Sequence, residues 1–329
     1  MPSLEQEPEP LVSIGLPVFN GQDFVEQAIR SIQKQSYQNF ELIISDNCST
    51  DRTLEICRDL AASDPRLRVV TTETNIGAAG NFNRVAQLAT GRLFAWANHD
   101  DLWADTYIKK CVTALSAEPS AVLAYSKSAK IDEDGEEIHE LNNNLGLTAS
   151  RPAARLKAYH DAFIDVDRRR AWGKEPIEGF WIPVYGVMHT ELLHQTSLIG
   201  NYISSDTVLL EELLILGTFV EVEEKLFFKR DHQKRSMRDS EAYDARAEWF
   251  TGSRAGRLLF PRWRALRARL RASIVLPKGV GNKAACFWRS LSFYVRRRSE
   301  GNGLIKEVIV NMSRLLLGTD RARRLLRKW

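Results

Sequence analysis

The chain has 329 residues, 44% of them hydrophobic, enough for one large or two modest domains with a buried core. No apolar run reaches the roughly 18 residues needed to cross a bilayer. The four cysteines (Cys48, Cys57, Cys111, Cys286) form no CxxC pair, and no histidines stand at zinc-like spacing. This argues against a spanning, disulfide-built or zinc-built protein and fits a reducing compartment. The net charge of +4 conceals a split: residues 251–329 hold 20 Lys+Arg against 3 Asp+Glu, or +17, leaving −13 for residues 1–250. Such a balance suggests an acidic catalytic body with a basic appendage that seeks an anionic surface.

Residues 1–10 are acidic and proline-bearing, unlike a secretory signal, and read as a disordered lead-in. Residues 11–19 (LVSIGLPVF) read as a buried strand, broken by Pro17 and turned by Asn20-Gly21. Phe24, Ala28, Ile29 and Ile32 recur at helical spacing and predict an amphipathic helix over 23–34. A second strand, 40–45, ends in the polar cluster Asp46-Asn47-Cys48-Ser49-Thr50-Asp51. Ser49, Thr50 or Asp51 can cap a helix over 53–62, while Asp46, at the strand end, can accept hydrogen bonds from a ligand. A third strand, 67–71, leads through Asn75-Ile76-Gly77-Ala78-Ala79-Gly80 into a helix carrying Phe82, Val85, Ala86 and Leu88. These glycines spell neither GxGxxG nor a Walker loop, so a dinucleotide fold or P-loop ATPase is unsupported.

Residues 93–97 form a fourth buried strand, ending at Asn98-His99-Asp100-Asp101. Three strand–helix units before it imply a parallel sheet with helices on both faces, where ligands bind beyond the carboxyl ends of strands. Asp100 and Asp101 therefore stand where a hard cation and a phosphate could meet. The alternative is capping, by Asp101 or Asp105, of the helix over 104–116. A strand over 121–125 and a solvated turn at Asp132-Glu133-Asp134-Gly135 follow. From 141 to 177, through Asn142-Asn143-Asn144, the pattern loosens, and a variable region folded over the sheet is expected. Trp181 and Tyr185 suit core packing or stacking on a sugar face. Residues 187–194 pass from strand to helix. Ser204-Ser205-Asp206 precede an apolar, buried helix over 207–216, which Asp206 can cap. A strand over 218–228 runs into Lys229-Arg230-Asp231-His232, cations beside a histidine.

At least five of these stretches, in this order over 11–238, resemble the family-two glycosyltransferases of GT-A fold. GLPVFNG is similar to that family's first strand and turn, SDNCSTD to its DDGSTD, and NIGAAGNFN to its Asn-x-Gly turn and helix. ANHDDLW resembles the acidic metal motif DSDD or DADD, Ser205-Asp206 the Glu-Asp pair, and FKRDHQKRS the Tyr-Arg-x-His-x-x-x-x-Ser segment.

The resemblance implies an α/β, GT-A-type, mostly parallel sheet with helices on both faces over 11–250, with a nucleotide-sugar half (11–130) and an acceptor half (131–250). A basic amphipathic helical extension, 251–329, follows. It implies transfer of a sugar from a nucleotide diphosphate sugar to an acceptor hydroxyl with inversion, in surface polysaccharide or glycolipid synthesis. By residue, it implies donor binding by Pro17, Val18, Phe19, Asn20, Asp46, Asn75, Asn98, Arg230 and His232. It further implies Mg²⁺ or Mn²⁺ on Asp100 and Asp101, and a general base at Asp206. Asn98 departs from the usual first carboxylate of the metal motif, and Ser205 from the acid before Asp206. A non-catalytic, membrane-associated member of the fold is thus one rival. A sugar-1-phosphate nucleotidyltransferase is another, although GLPVFNG lacks its glycine-rich Arg/Lys loop.

The chemistry agrees with these roles. Single displacement needs one carboxylate to take the acceptor proton, and the leaving diphosphate is stabilised by cations instead of a second, acidic carboxyl. The acceptor is expected to be a saccharide or lipid-linked saccharide. In the basic extension, Trp263, Leu266, Leu270 and Ile274 fall near one helical face among arginines, and 287–295 and 315–329 repeat the mixture. Such helices can lie on an anionic membrane surface, or pack on the catalytic domain and expose their charge. No nucleic-acid motif accompanies them, so nucleic acid is the least expected partner. The location expected is cytoplasmic, peripheral on the inner face of the cell membrane.

Overall fold

The computed structural model describes residues 9–141, 145–171, 179–232 and 260–317. The lead-in to residue 8, the run Asn142-Asn143-Asn144, residues 172–178, residues 233–259 and those from 318 onward lie outside the described residues.

Among the described residues nine strands form one sheet. They are β1 (Val12–Val18), β2 (Phe40–Asp46), β3 (Leu67–Thr71), β4 (Leu93–Trp96), β5 (Leu102–Trp103), β6 (Ala121–Ile131), β7 (Glu137–Leu141), β8 (Val187–His189) and β9 (Thr218–Arg230). The order is β3-β2-β1-β4-β8-β6-β9-β5, with β7 on β6. Pairings β3·β2, β2·β1, β1·β4 and β6·β9 are parallel, and the short β8 joins the two parallel blocks in antiparallel register. All seven residues of β1 are buried because helices cover both faces of a central strand, which explains its continuous apolar reading.

The covering helices are α1 (Val25–Gln33), α2 (Thr53–Ala62), α3 (Gly77–Gln87), α4 (Tyr107–Ala117), α5 (Pro152–Ala171), α6 (Thr190–Leu193) and α7 (Ser205–Leu216). In α1 three of the four predicted stripe residues, Ala28, Ile29 and Ile32, are buried, while Val25 and not the half-buried Phe24 completes the inward face. The variable region expected over 141–177 instead contains α5. Its inward face mixes Leu156, Tyr159 and Phe163 with Arg155 and His160, so an apolar count underestimates it. Arg155 is buried yet satisfied: Nε donates to Leu214 O (2.6 Å), Nη2 to Ile215 O (3.2 Å), and Nη1 to Ala149 and Ser150 carbonyls (2.8 Å each). Two of those carbonyls belong to the unpaired C-terminal turn of α7, where a cation is favoured.

Among the described residues three further helices follow: α8 (Pro261–Val275), α9 (Val280–Arg296) and α10 (Arg298–Leu317). α8 lies against α7, α9 against α5 and α8, and α10 against α8 and α9. Ala272, Cys286, Phe293 and Tyr294 join the same hydrophobic core as the sheet. The face of α8 expected from Trp263, Leu266, Leu270 and Ile274 is not the buried one. Ala265, Arg269, Ala272 and Ser273 are buried, while Trp263 and Ile274 are exposed. Small residues allow the backbone of α8 to approach α7, and the arginine finds an ion-pair partner there, so side-chain size outweighs apolarity.

Candidate active site

The carboxyl end of β1 is tied to the loop after β2. Pro17 and Val18 pair with Ser45 and Asp46 within the sheet, and Phe19, next in the chain, is solvent-exposed. Asn20 takes a left-handed φ of 50°. Its N–H donates to Ser49 Oγ and its Oδ1 accepts from Thr50 N–H, both at 2.9 Å. Gly21 N–H donates to Thr53 Oγ1 (2.8 Å), and a Cβ there would meet the His99 ring at 2.5 Å, so only glycine fits. Asp51 accepts from the N–H groups of Thr53 (3.0 Å) and Gln22 (3.3 Å), holding the start of α2. Asn47 bridges to the next loop. Its Oδ1 accepts from Ile76 N–H (2.9 Å), and its Nδ2 donates to Asn75 Oδ1 (3.0 Å). Asn75 Oδ1 also accepts from Gly77 N–H (2.8 Å), so that oxygen fastens loops together.

Asp46 sits in the floor of this knot. Oδ2 accepts from Ser49 N–H (3.1 Å), but Oδ1 is buried with no partner among the described residues. Orphaned buried acceptors are rare and require an explanation. A ligand N–H or hydroxyl is the simplest.

Asp100 and Asp101 are adjacent but meet different groups. Asp101 accepts from Lys229 Nζ (2.9 Å), Asn98 Nδ2 (2.8 Å) and Arg230 N–H (3.1 Å). Asp100 Oδ2 lies 3.1 Å from His232 Nε2, and its carbonyl accepts from Arg230 Nε (3.0 Å). Burial opposes ionisation of Asp100, yet Lys229, His99 and His232 together hold its carboxyl well below the usual range. Lys229 is likewise buried; Asp101 and Asp100 overcome the desolvation and keep its ammonium charged. The ammonium faces the rings of Tyr185 (5.6 Å) and Trp181 (6.0 Å).

Arg230 differs from the expectation of a donor-binding cation. Its guanidinium is fully buried beside Phe24, with Nη1 donating to Asp132 O (3.0 Å) and Glu133 O (2.6 Å) and Nη2 to Gln27 Oε1 (2.8 Å). It clasps the β6–β7 turn to the acidic loop. Asp101 likewise differs from the expectation of a metal ligand, since an ammonium, an amide and a backbone N–H already take its oxygens. Of the expected metal ligands Asp100 remains, with His232 beside it. The His232 Nδ1 is buried without a partner among the described residues. No cluster of three or more His, Cys, Asp or Glu arranged for a metal occurs among the described residues. Asp100 and His232 nevertheless fit a divalent cation that takes its remaining ligands from water and diphosphate, the way Mg²⁺ and Mn²⁺ are usually held.

Asp206 is the second residue of α7, following Ser204 in a left-handed conformation. Burial pushes its carboxyl up; Thr207 N–H, its own N–H and the charge of Arg269 pull the other way. Behind it Arg269 Nε donates to both oxygens of Glu211 (2.8 and 2.9 Å), Nη1 donates to Tyr294 Oη (2.8 Å) and Nη2 to Thr207 Oγ1 (3.3 Å). His160 Nε2 lies 3.3 Å from Glu211.

Tyr185 stands beside the acidic loop. It stacks on Phe227 at 5.2 Å, bonds to Asn98, and is pushed up to about 12, chiefly by burial. The Lys229 ammonium lies 5.6 Å from its ring, and its own segment, Ile182–Tyr185, packs against α7, so Tyr185 stands between the acidic loop and the helix that carries Asp206. From sequence, Tyr185 is expected only to pack in the core or stack on a sugar, and Lys229 stands among the cations beside His232 without a role in the site. Lys229 was detectable from β9: two residues beyond buried Phe227, it shares that residue's face of the strand.

Comparison with known proteins agrees with this architecture. Residues 13–170 match glycosyl transferase family 2. The chain is 34% identical over 127 residues to the putative teichuronic acid biosynthesis glycosyltransferase TuaG of Bacillus subtilis, spanning 39% of this chain and 50% of that one. It is 39% identical over 93 residues to the UDP-Glc:alpha-D-GlcNAc-diphosphoundecaprenol beta-1,3-glucosyltransferase WfgD of Escherichia coli, 28% of this chain and 36% of that one. The chain thus spans half or less of the length of these relatives. Its fold is similar to that of S. aureus TarS, solved in complex with UDP-GlcNAc, with a TM-score of 0.61 at 14% identity over 87% of this chain and 73% of that one. Residues 13–170 are therefore a glycosyl transferase family 2 domain, on a sheet of GT-A type.

Proposed function

We propose that this protein transfers a sugar from a nucleotide diphosphate sugar to a hydroxyl of a saccharide or lipid-linked saccharide, with inversion at the anomeric carbon. The observation that carries this reading is the buried Asp100–Asp101–Lys229–His232 cluster beside Tyr185, whose segment packs against α7, the helix that carries Asp206. The named functions of TuaG and WfgD supply the chemical class and the saccharide acceptor.

Asp46 accepts from the nucleoside through its unpartnered Oδ1, on a floor formed by Pro17, Val18 and Asn20. Asp100 and His232 would hold a divalent cation, which when bound would supply positive charge for the departing diphosphate. Lys229 adds a fixed cation beside them. Asp206 removes the acceptor hydroxyl proton as the oxygen attacks the anomeric carbon. Burial raises its pKa, which makes it a stronger base than an ordinary aspartate.

The test is sugar transfer or donor hydrolysis across a panel of nucleotide sugars, with and without Mn²⁺, using wild type and Asp206→Asn. Turnover by wild type, with Asp206→Asn binding donor and failing to transfer, is the expected result. Absence of nucleotide or nucleotide-sugar binding by the wild-type protein would remove the proposal.

A further inference from the structure

Among the described residues fifteen large hydrophobic side chains are exposed, and twelve of them lie between Trp263 and Leu316. The concentration is strongest on α10, whose amphipathicity is inverted. Toward α8 it turns Gly303, Glu307 and Asn311, four residues apart and all buried. Glu307 accepts from Arg262 N–H (3.0 and 3.1 Å), and Gly303 leaves room for the Arg262 side chain. Outward it turns Ile305, Val308, Ile309, Met312, Leu315 and Leu316, one stripe at helical spacing. A helix surrounded by water places its apolar stripe inward. The outer face of α10 is therefore built for a medium other than water.

Charge identifies that medium. Residues 251–329 carry 20 basic and 3 acidic side chains. Two of the acids are neutralised inside the helical layer, Glu307 by Arg262 and Glu300 by Arg262 and Arg297, each of the latter at 3.5 Å. A second copy docking through this face would set +17 against +17. Nucleic acid would reward the arginines and leave the apolar stripe in water. An anionic lipid surface rewards both, and stable anchoring needs such a pair of signals. No described helix is long and apolar enough to cross a membrane.

We infer that α10 lies in the plane of an anionic membrane, with the stripe from Ile305 to Leu316 in the headgroup–acyl boundary. The inference is independent of the chemistry at Asp206 and holds whether or not the protein transfers sugar.

The test is flotation of the full chain with vesicles of phosphatidylcholine alone or mixed with phosphatidylglycerol. Wild type should float with the mixed vesicles and only weakly with pure phosphatidylcholine. The exposed double variant Ile309→Glu/Met312→Glu should lose about tenfold or more of its binding while melting at the wild-type temperature. Hydrogen exchange on the unmodified chain provides a second reading, since amides of 305–316 should slow when mixed vesicles are added. Equal flotation of the variant, unchanged exchange, or no flotation of wild type would overturn the inference. A dimer that dissociates on making the double variant would also do so, assigning the face to a second copy.

Discussion

Arg269 and Glu211 form a buried ion pair between α8 and α7, five residues from Asp206, with the guanidinium also reaching Tyr294 and Thr207. Removing one member of a buried pair leaves the other charge without compensation. Arg269→Ala should therefore destabilise the fold by about 3–5 kcal/mol, measured by urea denaturation. Arg269→Met combined with Glu211→Leu should cost clearly less, because neither charge is then left alone. Equal loss in both would mean that packing, not charge, matters at this contact.

The same arginine bears on the pH profile. Burial raises the Asp206 pKa above its ordinary 3.8, so the active carboxylate is lost as pH falls through that raised value. The acid limb of kcat/KM should then have its midpoint above 3.8, and Arg269→Met should move it further up by removing an opposing charge. Asp206→Asn should lower kcat by about 10²–10⁴ with little change in donor binding. An unmoved midpoint in a folded Arg269→Met would separate Asp206 from that limb.

Asp46 offers a buried oxygen that has no partner among the described residues. Asp46→Ala should weaken binding of the preferred nucleoside diphosphate by about tenfold in calorimetry, a typical value for one hydrogen bond to a charged group. Unchanged affinity would place the nucleoside elsewhere.

The two adjacent aspartates should behave differently. Asp100→Asn should abolish any stimulation by Mn²⁺ and leave the melting temperature near wild type. Asp101→Asn should lower the melting temperature because it leaves the buried Lys229 ammonium without its closest carboxylate. Loss of metal stimulation with unchanged stability in Asp101→Asn would reverse these assignments.

Away from the site, Asp64 is lowered to about 2, first by its hydrogen bond to the Arg66 side chain. A depressed folded pKa adds stability above the unfolded value, near 4, and that stability is lost as pH falls toward 2. Asp64→Asn should cost about 1 kcal/mol at neutral pH after solvent screening, and nothing once the pH is well below the folded pKa of about 2. Parallel stability curves for the two proteins across this window would contradict the assignment.

Much of this was legible in the sequence. Continuous apolar runs gave the central strands, because helices on both faces remove alternation. Asp46, Asp100 and Asp206 were visible as short acids at the junctions of strands or helices. What escaped was decided by partners distant in sequence. Arg230 reads as a free cation until the carbonyls of Asp132 and Glu133 are folded against it. Asp101 reads as a metal ligand until Lys229 arrives from 128 residues away. The buried face of α8 defied its apolar pattern because alanine, serine and a paired arginine fit the narrow gap against α7.

The shared core between the sheet and the helices after residue 260 also constrains recombination with relatives. A breakpoint placed at the end of the family match, residue 170, would separate Arg155 from the α7 carbonyls it caps. A breakpoint between α7 and α8 would separate Glu211 from Arg269. Chimeras that exchange acceptor specificity should therefore carry α5, α7 and α8 as one inherited block, although these helices are distant in the chain.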